Sequence, residues 1–157
     1  MQVSRVDRIS KKTRSAVMSK IRSTGNKSTE LRLRMAFIRE GIQGWTMHPR
    51  SIFGKPDFWF PVARIAVFVD GCFWHGCQRV GCSRSPQQNR EYWIKKIARN
   101  VCRAQEVTMA LGRQGCKAMR VWEHQLATVE GVRQTVRSIA CQLVREDRAP
   151  NHGFDKR

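Results

Sequence analysis

Apolar side chains recur at helical spacing in four stretches of the chain, and we predict a helix over each. Positions three and four residues apart share one face of a helix, so each stretch has an apolar side and a polar side. The predicted helices, with their apolar positions, are 13–22 with Val17, Met18 and Ile21; 29–40 with Leu31, Met35 and Ile38; 90–111 with Ile94, Ile97, Val101, Thr108 and Leu111; and 129–145 with Val132, Val136, Ile139 and Leu143.

Short apolar runs between these helices predict strands over residues 58–60, 65–69 and 119–122. The run at 65–69 is apolar at every position, so we expect a central strand that is buried on both faces. Helices interleaved with strands predict an α/β fold with a mixed central sheet flanked by helices. We expect one domain over residues 13–148, a flexible basic arm over 1–12 and a frayed tail over 149–157.

The chain is strongly basic, with 30 Lys and Arg against 12 Asp and Glu in 157 residues and a formal net charge of +18. The basic residues are spread along the chain, which favours a folded domain with a polyanionic partner. Nucleic acid is favoured over an anionic membrane surface or an acidic protein, because no apolar run approaches the roughly 18 residues of a membrane span. Residues 1–30 show no secretory signal, so we expect a cytoplasmic protein with reduced or metal-bound cysteines.

Three cysteines fall within eleven residues at C-x4-C-x4-C spacing: Cys72, Cys77 and Cys82. Thiolates bind zinc strongly, and a structural zinc site needs four such ligands. His124, after the last predicted strand, is the best candidate for the fourth. Such a closed site would hold the 71–85 loop in place and leave no position for substrate. The alternative is three small buried side chains, and it is the interpretation that we adopt for the other cysteines, Cys102, Cys116 and Cys141.

Two carboxylates mark the ends of predicted strands, Asp57 before residues 58–60 and Asp70 after residues 65–69. If the two strands are neighbours, both side chains lie at one edge of the sheet. Carboxylate oxygens suit Mg²⁺, and phosphodiester hydrolysis needs a cation at the phosphate and a group that handles protons. His75 is near enough in sequence to act as general base or phosphate ligand. The alternatives are a turn aspartate and a structural histidine.

Aromatic side chains cluster around the cysteines. Phe73 and Trp74 lie inside the proposed zinc loop, and Tyr92 and Trp93 open the following helix. Bulky rings on a loop are unfavourable unless they meet a partner or the core, and in nucleic-acid proteins they stack on bases or wedge between base steps. The alternative places them beneath the loop. We expect three other tryptophans to be core residues: Trp45, Trp59 and Trp122.

Taken together, these motifs resemble those of the very-short-patch repair endonucleases. The strongest is FVDGCFWHGC, residues 68–77. In the same order and at matching spacing stand K-T-R-S (12–15), GKPDF (54–58), N-x-x-Y-W-x-x-K-I-x-x-N (89–100) and R-V-W-E (120–123). The similarity covers about residues 11–126.

The resemblance implies a restriction-endonuclease type of fold with a structural zinc site. It also implies an Mg²⁺-dependent endonuclease that cuts 5′ to the thymine of a T·G mismatch, which arises when 5-methylcytosine deaminates. The implied partner is double-stranded DNA. We expect a monomer to bind it, because only one strand of an asymmetric site is cut, and repair-machinery proteins are possible further partners. The implied location is the bacterial cytoplasm, in association with the nucleoid.

The resemblance also implies roles for the catalytic residues. Asp57 would hold Mg²⁺ with the backbone carbonyl of Val69, and His75 would act on the attacking water. Glu30 matches an active-site carboxylate of the family, and Asp70 is a further candidate catalytic residue. The implied zinc ligands are Cys72, Cys77, Cys82 and His124.

DNA recognition is implied for two other regions. Phe73, Trp74 and Trp93 would intercalate beside the mismatch from the major-groove side. The first helix would clamp the minor groove with Met18, and the K-T-R-S motif would contact DNA through Lys12 and Arg14.

Several positions depart from the family pattern. Asp70 stands where some members have His, which leaves its role open between metal binding, phosphate contact and neither. Ala104 stands where the long helix usually carries Asp, so a supporting carboxylate is lost. Cys116 replaces an expected Trp, His124 takes a place that is often Cys, and the loop between Cys77 and Cys82 is slightly long.

These observations leave three hypotheses. The first is the mismatch endonuclease. The second is a protein of the same fold that binds mismatched or distorted DNA but is catalytically impaired, which the loss at Ala104 keeps open. The third is a zinc-containing RNA-binding or ribosome-associated protein, which would leave Asp57, Glu30 and His75 without a purpose.

Overall fold

The structure is a computed structural model that describes residues 27–82 and 89–148. The elements in chain order are α1 (Lys27–Arg39), β1 (Thr46–Met47), β2 (Phe58–Phe60), β3 (Ile65–Asp70), α2 (Arg90–Arg113), β4 (Lys117–Trp122), a 3₁₀ helix (Glu123–Leu126) and α3 (Val129–Arg148). Strand β1 and the 3₁₀ helix were not predicted. The predicted arm, first helix and tail, with Lys12, Arg14 and Met18, lie outside the described residues.

The four strands form one mixed sheet in the order β1-β2-β3-β4. Strand β2 pairs antiparallel with both β1 and β3, whereas β3 and β4 are parallel. Parallel neighbours need a long crossover connection, which the 24-residue helix α2 provides. The chain is therefore a mixed α/β protein, as predicted.

Strand β3 lies in the middle of the sheet and is buried along almost its whole length. Its alternate side chains point to opposite faces: Ile65 and Val67 belong to one apolar cluster, whereas Ala66 and Phe68 belong to another. The first cluster includes residues of α1 and α3, and the second includes Val107 and Leu111 of α2. Helices thus cover both faces of the sheet, which explains why β3 is a continuous apolar run.

The predicted core face of α1 is wrong. Leu31, Met35 and Ile38 are 53%, 56% and 55% exposed, whereas the buried apolar residues are Leu33, Ala36 and Phe37. Both sets have helical spacing, so periodicity alone does not separate them. The aromatic residues of β2 decide between them, because Phe37 packs edge to face on Phe58 and Phe60 with ring centroids 5.1 and 5.7 Å apart.

The other two described helices follow their predictions more closely. In α3, Val132, Val136 and Ile139 are buried and Leu143 packs against the same cluster. In α2, Leu111 is buried as expected, but Ile94 is exposed and Val107 takes the core position that was predicted for Thr108. No helix in residues 27–82 or 89–148 is long and apolar enough to span a membrane.

Candidate active site and metal centre

Asp57 lies immediately before β2, and backbone hydrogen bonds hold it against β3. Its N–H donates to the carbonyl of Val67 (3.0 Å), and its Oδ2 accepts the N–H of Val69 (2.6 Å). Because β2 and β3 are antiparallel, the start of β2 and the end of β3 lie at the same edge of the sheet. Asp57 and Asp70 therefore lie at one edge, as the expected pairing of the two strands required.

Two further side chains meet Asp57 there. Glu30, in the first turn of α1, is 6% exposed, and its Oε2 lies 3.3 Å from Nε2 of His48. The other ring nitrogen of His48, Nδ1, lies 3.8 Å from Oδ1 of Asp57. Each of the three residues offers one ligand atom, and these atoms lie within 4.8 Å of one another. We call Glu30, His48 and Asp57 the carboxylate cluster.

Burial raises the pKa of Asp57 from its ordinary value of 3.8 to about 6. The hydrogen bond from Val69 lowers that pKa and the nearby charge of Glu30 raises it further. The negative charge of Glu30 thus disfavours ionisation of Asp57, and a divalent cation between the two side chains would reverse that effect. The donor set of the carboxylate cluster fits such an ion.

Asp70, at the end of β3, forms an ion pair with β4. Nη1 of Arg120 donates to both carboxylate oxygens of Asp70, at 2.8 and 2.7 Å. Nη2 of the same guanidinium donates to the carbonyl of Ala104 on α2 (3.0 Å), and the guanidinium lies over the ring of Phe68. One arginine therefore ties the end of the central strand to the long helix beside it.

His75 lies in the loop that follows Asp70. Its Nδ1 is buried, has no hydrogen-bond partner and lies 3.6 Å from Oδ1 of Asp70, whereas the side chain as a whole is 28% exposed. The exposed part of the ring is therefore on the side away from Nδ1. Burial lowers the pKa of His75, and Arg120 acts in the same direction while Asp70 opposes it. A neutral imidazole with an accessible edge is suited to accept a proton.

The three predicted cysteines converge on the predicted histidine. Nδ1 of His124 lies 3.3, 3.5 and 3.4 Å from the sulfurs of Cys72, Cys77 and Cys82. In a tetrahedral zinc site with Zn–S of about 2.3 Å and Zn–N of about 2.0–2.1 Å, sulfur and nitrogen ligands are about 3.5 Å apart. The arrangement, which we call the thiol cluster, thus has the composition and spacing of a closed tetrahedral centre.

Local contacts support the thiol cluster. The carboxylate of Glu123 accepts the N–H of Cys72 (3.2 Å), which links the loop to the end of β4. Burial raises the pKa of Cys72 to about 12, and the neighbouring thiol of Cys82 adds to the shift. Since metal binding needs thiolates, a cation would have to stabilise the deprotonated form directly. Cys102 and Cys141 are exposed on helices, and Cys116 packs against the second apolar cluster.

The aromatic side chains form a connected group beside the thiol cluster. Phe73 contacts Trp74 and Trp93 with ring centroids 5.0 and 5.3 Å apart, and Tyr92 contacts Trp93 at 5.2 Å. Nζ of Lys96 lies 5.1 Å from the ring of Trp74. We call Phe73, Trp74, Tyr92 and Trp93 the aromatic cluster. Its rings are partly or largely exposed, and they lie next to a cationic side chain.

The loop that carries these rings is fastened to α2. The side chain of Asn100 donates to the carbonyl of Trp74 (2.9 Å). Gly76 has a positive φ of 63°, and a Cβ there would lie 3.0 Å from a methyl group of Ile97. The hydrogen bond from Asn100 and the missing side chain at Gly76 therefore allow this loop to pack closely against α2.

Sequence reasoning missed His48 and the partner of Asp70. His48 precedes a proline in a segment without hydrophobic periodicity, so no local signal marks it. The β1–β2 register brings it opposite Asp57, and its φ of 47° is unusual for a residue other than glycine. Arg120 was part of a matched motif, but only the pairing of β3 with β4 places it at Asp70.

Comparison with known proteins gives a consistent set of relatives. A family profile described as DNA mismatch endonuclease Vsr matches residues 6–80. The type II nicking enzyme V.NmeDIP of Neisseria meningitidis serogroup C is 39% identical over 137 residues, which cover 84% of this chain and 91% of that protein.

Two further relatives cover most of the chain. The type II nicking enzyme V.XorIIP of Xanthomonas oryzae is 33% identical over 135 residues, or 85% of this chain and 96% of the relative. DNA mismatch endonuclease Vsr of Escherichia coli is 32% identical over 113 residues, or 72% of this chain and 70% of that protein.

Proposed function

Because the chain belongs to the Vsr family of DNA mismatch endonucleases, we propose that it nicks one strand of duplex DNA 5′ to the thymine of a T·G mismatch. As a member of this family it is a DNA endonuclease, a hydrolase that acts on phosphodiester bonds. The observation that carries the finer proposal is that the carboxylate cluster, His75 and the aromatic cluster lie around one edge of the sheet. The sheet with helices on both faces supports a restriction-endonuclease type of fold.

Asp57 is the proposed principal ligand of a divalent cation, Mg²⁺ in the proposed reaction, with the backbone carbonyl of Val69 as a further ligand. A cation there supplies positive charge at the scissile phosphate and favours ionisation of a bound water. The N–H of Val69 holds the Asp57 carboxylate in place from one side (2.6 Å). Glu30 adds a second carboxylate from α1, so that the donors come from different elements.

His75 is the proposed proton acceptor for the attacking water. Its buried Nδ1 lies 3.6 Å from the carboxylate of Asp70, whose negative charge would favour the Nδ1–H tautomer and leave Nε2 free to accept a proton. The Arg120 guanidinium keeps Asp70 in place through both carboxylate oxygens. We assign Asp70 a positioning role through His75, in place of the metal or phosphate contact that the sequence left open.

The thiol cluster is the proposed structural zinc site. Four protein ligands complete a tetrahedral shell, so no position remains for substrate. The zinc would hold the loop that carries His75, Phe73 and Trp74 at fixed positions relative to β4. It would thus act on the reaction only by positioning these side chains.

Phe73, Trp74 and Trp93 are the proposed mismatch-reading residues. Rings that are partly exposed and that contact each other can insert between neighbouring base pairs. Base pairs unstack most easily where their pairing is weak, as at a mismatch. Lys96 lies beside Trp74 and would place positive charge near the phosphates of a bound duplex. The proposed partner is therefore duplex DNA with a single mismatch, bound by a monomer, with Lys12, Arg14 and Met18 as further contacts that lie outside the described residues.

A strand-resolved nicking assay tests this function. The substrate is a duplex with one T·G pair in varied flanking sequences, incubated with Mg²⁺ or with EDTA. We expect a single cut 5′ to the thymine with Mg²⁺ and none with EDTA. Cutting without regard to the mismatch, or binding of RNA in preference to this duplex, would contradict the proposal.

Ala104 supports a second candidate, a mismatch-binding protein with impaired catalysis. Its methyl side chain lacks the carboxylate that the resemblance leads us to expect there, and only its backbone carbonyl accepts a hydrogen bond, from Nη2 of Arg120. Asp70, 3.6 Å from His75, offers a carboxylate from a different element. If the wild type binds the mismatch without cutting it and Ala104→Asp restores nicking, the second candidate is correct; nicking by the wild type excludes it.

A further inference from the structure

His48 occupies a position set by strand pairing. The β1–β2 register pairs Met47 with Phe58, so His48, the residue after β1, lies opposite Asp57. Its N–H donates to the carbonyl of Asp57 (3.2 Å), and its φ of 47° lies in the left-handed region. The backbone therefore holds the imidazole against two carboxylates rather than leaving it free in a surface loop.

The distances around His48 fit metal coordination. Cis ligands of an octahedral ion with bonds of about 2.1 Å lie about 3.0 Å apart, and trans ligands about 4.2 Å apart. Nε2 of His48 and Oε2 of Glu30 are 3.3 Å apart, and all three ligand atoms of the carboxylate cluster lie within 4.8 Å of one another. These separations are comparable with those between the ligands of one octahedral ion.

The three side chains of the carboxylate cluster differ in how far they are exposed to solvent. The side chains of Glu30 and Asp57 are 8% and 16% exposed, whereas that of His48 is 46% exposed. An ion at this cluster would thus have protein oxygens on its inner side and the imidazole toward solvent. Coordination positions would remain on the open side for water and for a phosphate oxygen.

We propose that His48 is a third side-chain ligand of the cation held by Asp57 and Glu30, so that this centre binds Mn²⁺ more tightly than Mg²⁺. Imidazole nitrogen is a ligand for first-row transition metals, whereas Mg²⁺ favours oxygen donors and water. The inference deepens the metal site of the proposed function, and it concerns affinity, so that Mg²⁺ still supports nicking where it is abundant. Without a cation, the imidazole lies between the two carboxylates, 3.3 Å from Oε2 of Glu30 and 3.8 Å from Oδ1 of Asp57.

The test uses the full-length, zinc-loaded protein without DNA. Mn²⁺ is titrated and followed by electron paramagnetic resonance, and electron spin echo modulation detects a coordinated ¹⁴N. We expect ¹⁴N modulation and tighter binding of Mn²⁺ than of Mg²⁺ in the wild type. His48→Asn should remove the modulation and weaken Mn²⁺ binding at least about tenfold, with a smaller effect on Mg²⁺.

Two variants keep the result interpretable. Asparagine tolerates a positive φ and can hydrogen-bond, so His48→Asn should retain the fold and remove the imidazole nitrogen. Arg50→Ala changes an exposed residue of the same loop and should leave the modulation intact. Modulation that persists in His48→Asn, or an unchanged ratio of Mn²⁺ to Mg²⁺ affinity, would overturn the proposal. Because no DNA is present, failure of mismatch nicking would leave this outcome unaffected.

Discussion

The two metal-ligand groups of this protein differ in every feature that determines what a metal does. Three of the four residues of the thiol cluster come from one eleven-residue loop, and the four together would complete a tetrahedral shell of sulfur and nitrogen around an ion. The three residues of the carboxylate cluster come from α1, from the position after β1 and from the position before β2. Its donors are mainly oxygen, and they do not complete an octahedral shell.

This difference separates a stabilising site from a reactive one. A closed shell of soft ligands binds an ion that organises the loop, and it excludes substrate. An incomplete shell with hard ligands leaves positions for water and phosphate, which hydrolysis requires. Loss of the first ion should therefore appear in stability, and loss of the second in activity.

Asp57→Ala should have the largest effect, and that effect should be on activity. Removal of the central carboxylate removes several kcal/mol of transition-state stabilisation, so we expect the nicking rate to fall at least about a thousandfold. Zinc content and duplex binding should be unchanged, since neither depends on the carboxylate cluster. The exposed Glu40→Ala is the control, and retained cutting by Asp57→Ala would remove Asp57 from the metal site.

Cys77→Ala should produce the opposite pattern. The loss of one of four ligands should release zinc and cost about 4 kcal/mol of folding free energy, a fall in Tm of about 8–16 °C for a chain of this length. Zinc content by atomic emission and Tm by calorimetry measure the two effects. The exposed Cys141→Ala should keep both values, and a Cys77→Ala protein with full zinc content would contradict the tetrahedral assignment.

The raised pKa of Asp57 predicts that the protein without a bound cation becomes less stable to unfolding as pH rises. With a pKa of about 6 against an ordinary 3.8, the folded state binds the proton more tightly than the unfolded state. The protonated carboxyl of Asp57 contributes up to roughly 3 kcal/mol to the free energy of unfolding. This contribution is fully present below about pH 4 and is lost as the pH rises through about 6.

Asp57→Asn should remove that pH dependence. We expect the variant to be about 1–2 kcal/mol more stable than the wild type at pH 7 without added divalent cation, and the two to converge near pH 4. Urea unfolding between pH 4 and 7.5 measures the difference. If the difference in free energy of unfolding between the two proteins does not change with pH, burial does not raise the pKa of Asp57.

Trp74→Ala should have the smallest effect and should act on recognition alone. Loss of one stacking ring typically costs 1–3 kcal/mol, so we expect the preference for T·G over paired duplex to fall about tenfold while zinc content stays constant. Competition binding measures the preference. Trp74→Phe keeps an aromatic face and should retain most of it; equal loss in both variants would indicate a packing role for Trp74.

Sequence reasoning predicted the features that depend on local patterns. The α/β class followed from periodicity, the burial of β3 from its continuous apolar run, and the three cysteines of the thiol cluster from their spacing. Periodicity was insufficient on α1, where Leu31-Met35-Ile38 and Leu33-Phe37 both have helical spacing. Contact with Phe58 and Phe60 decided which set is buried.

The sequence by itself determined the ligands that lie close along the chain, because a loop of eleven residues must bring its cysteines near one another. Only the tertiary structure decided the carboxylate cluster and the Asp70–Arg120 pair. Strand β1 is two residues long and has no periodic signal, yet its register places His48 opposite Asp57. Arg120 reaches Asp70 only because β3 and β4 pair across 50 residues of chain. Such contacts depend on hydrogen-bond register between distant segments, and side-chain pattern within either segment does not determine that register.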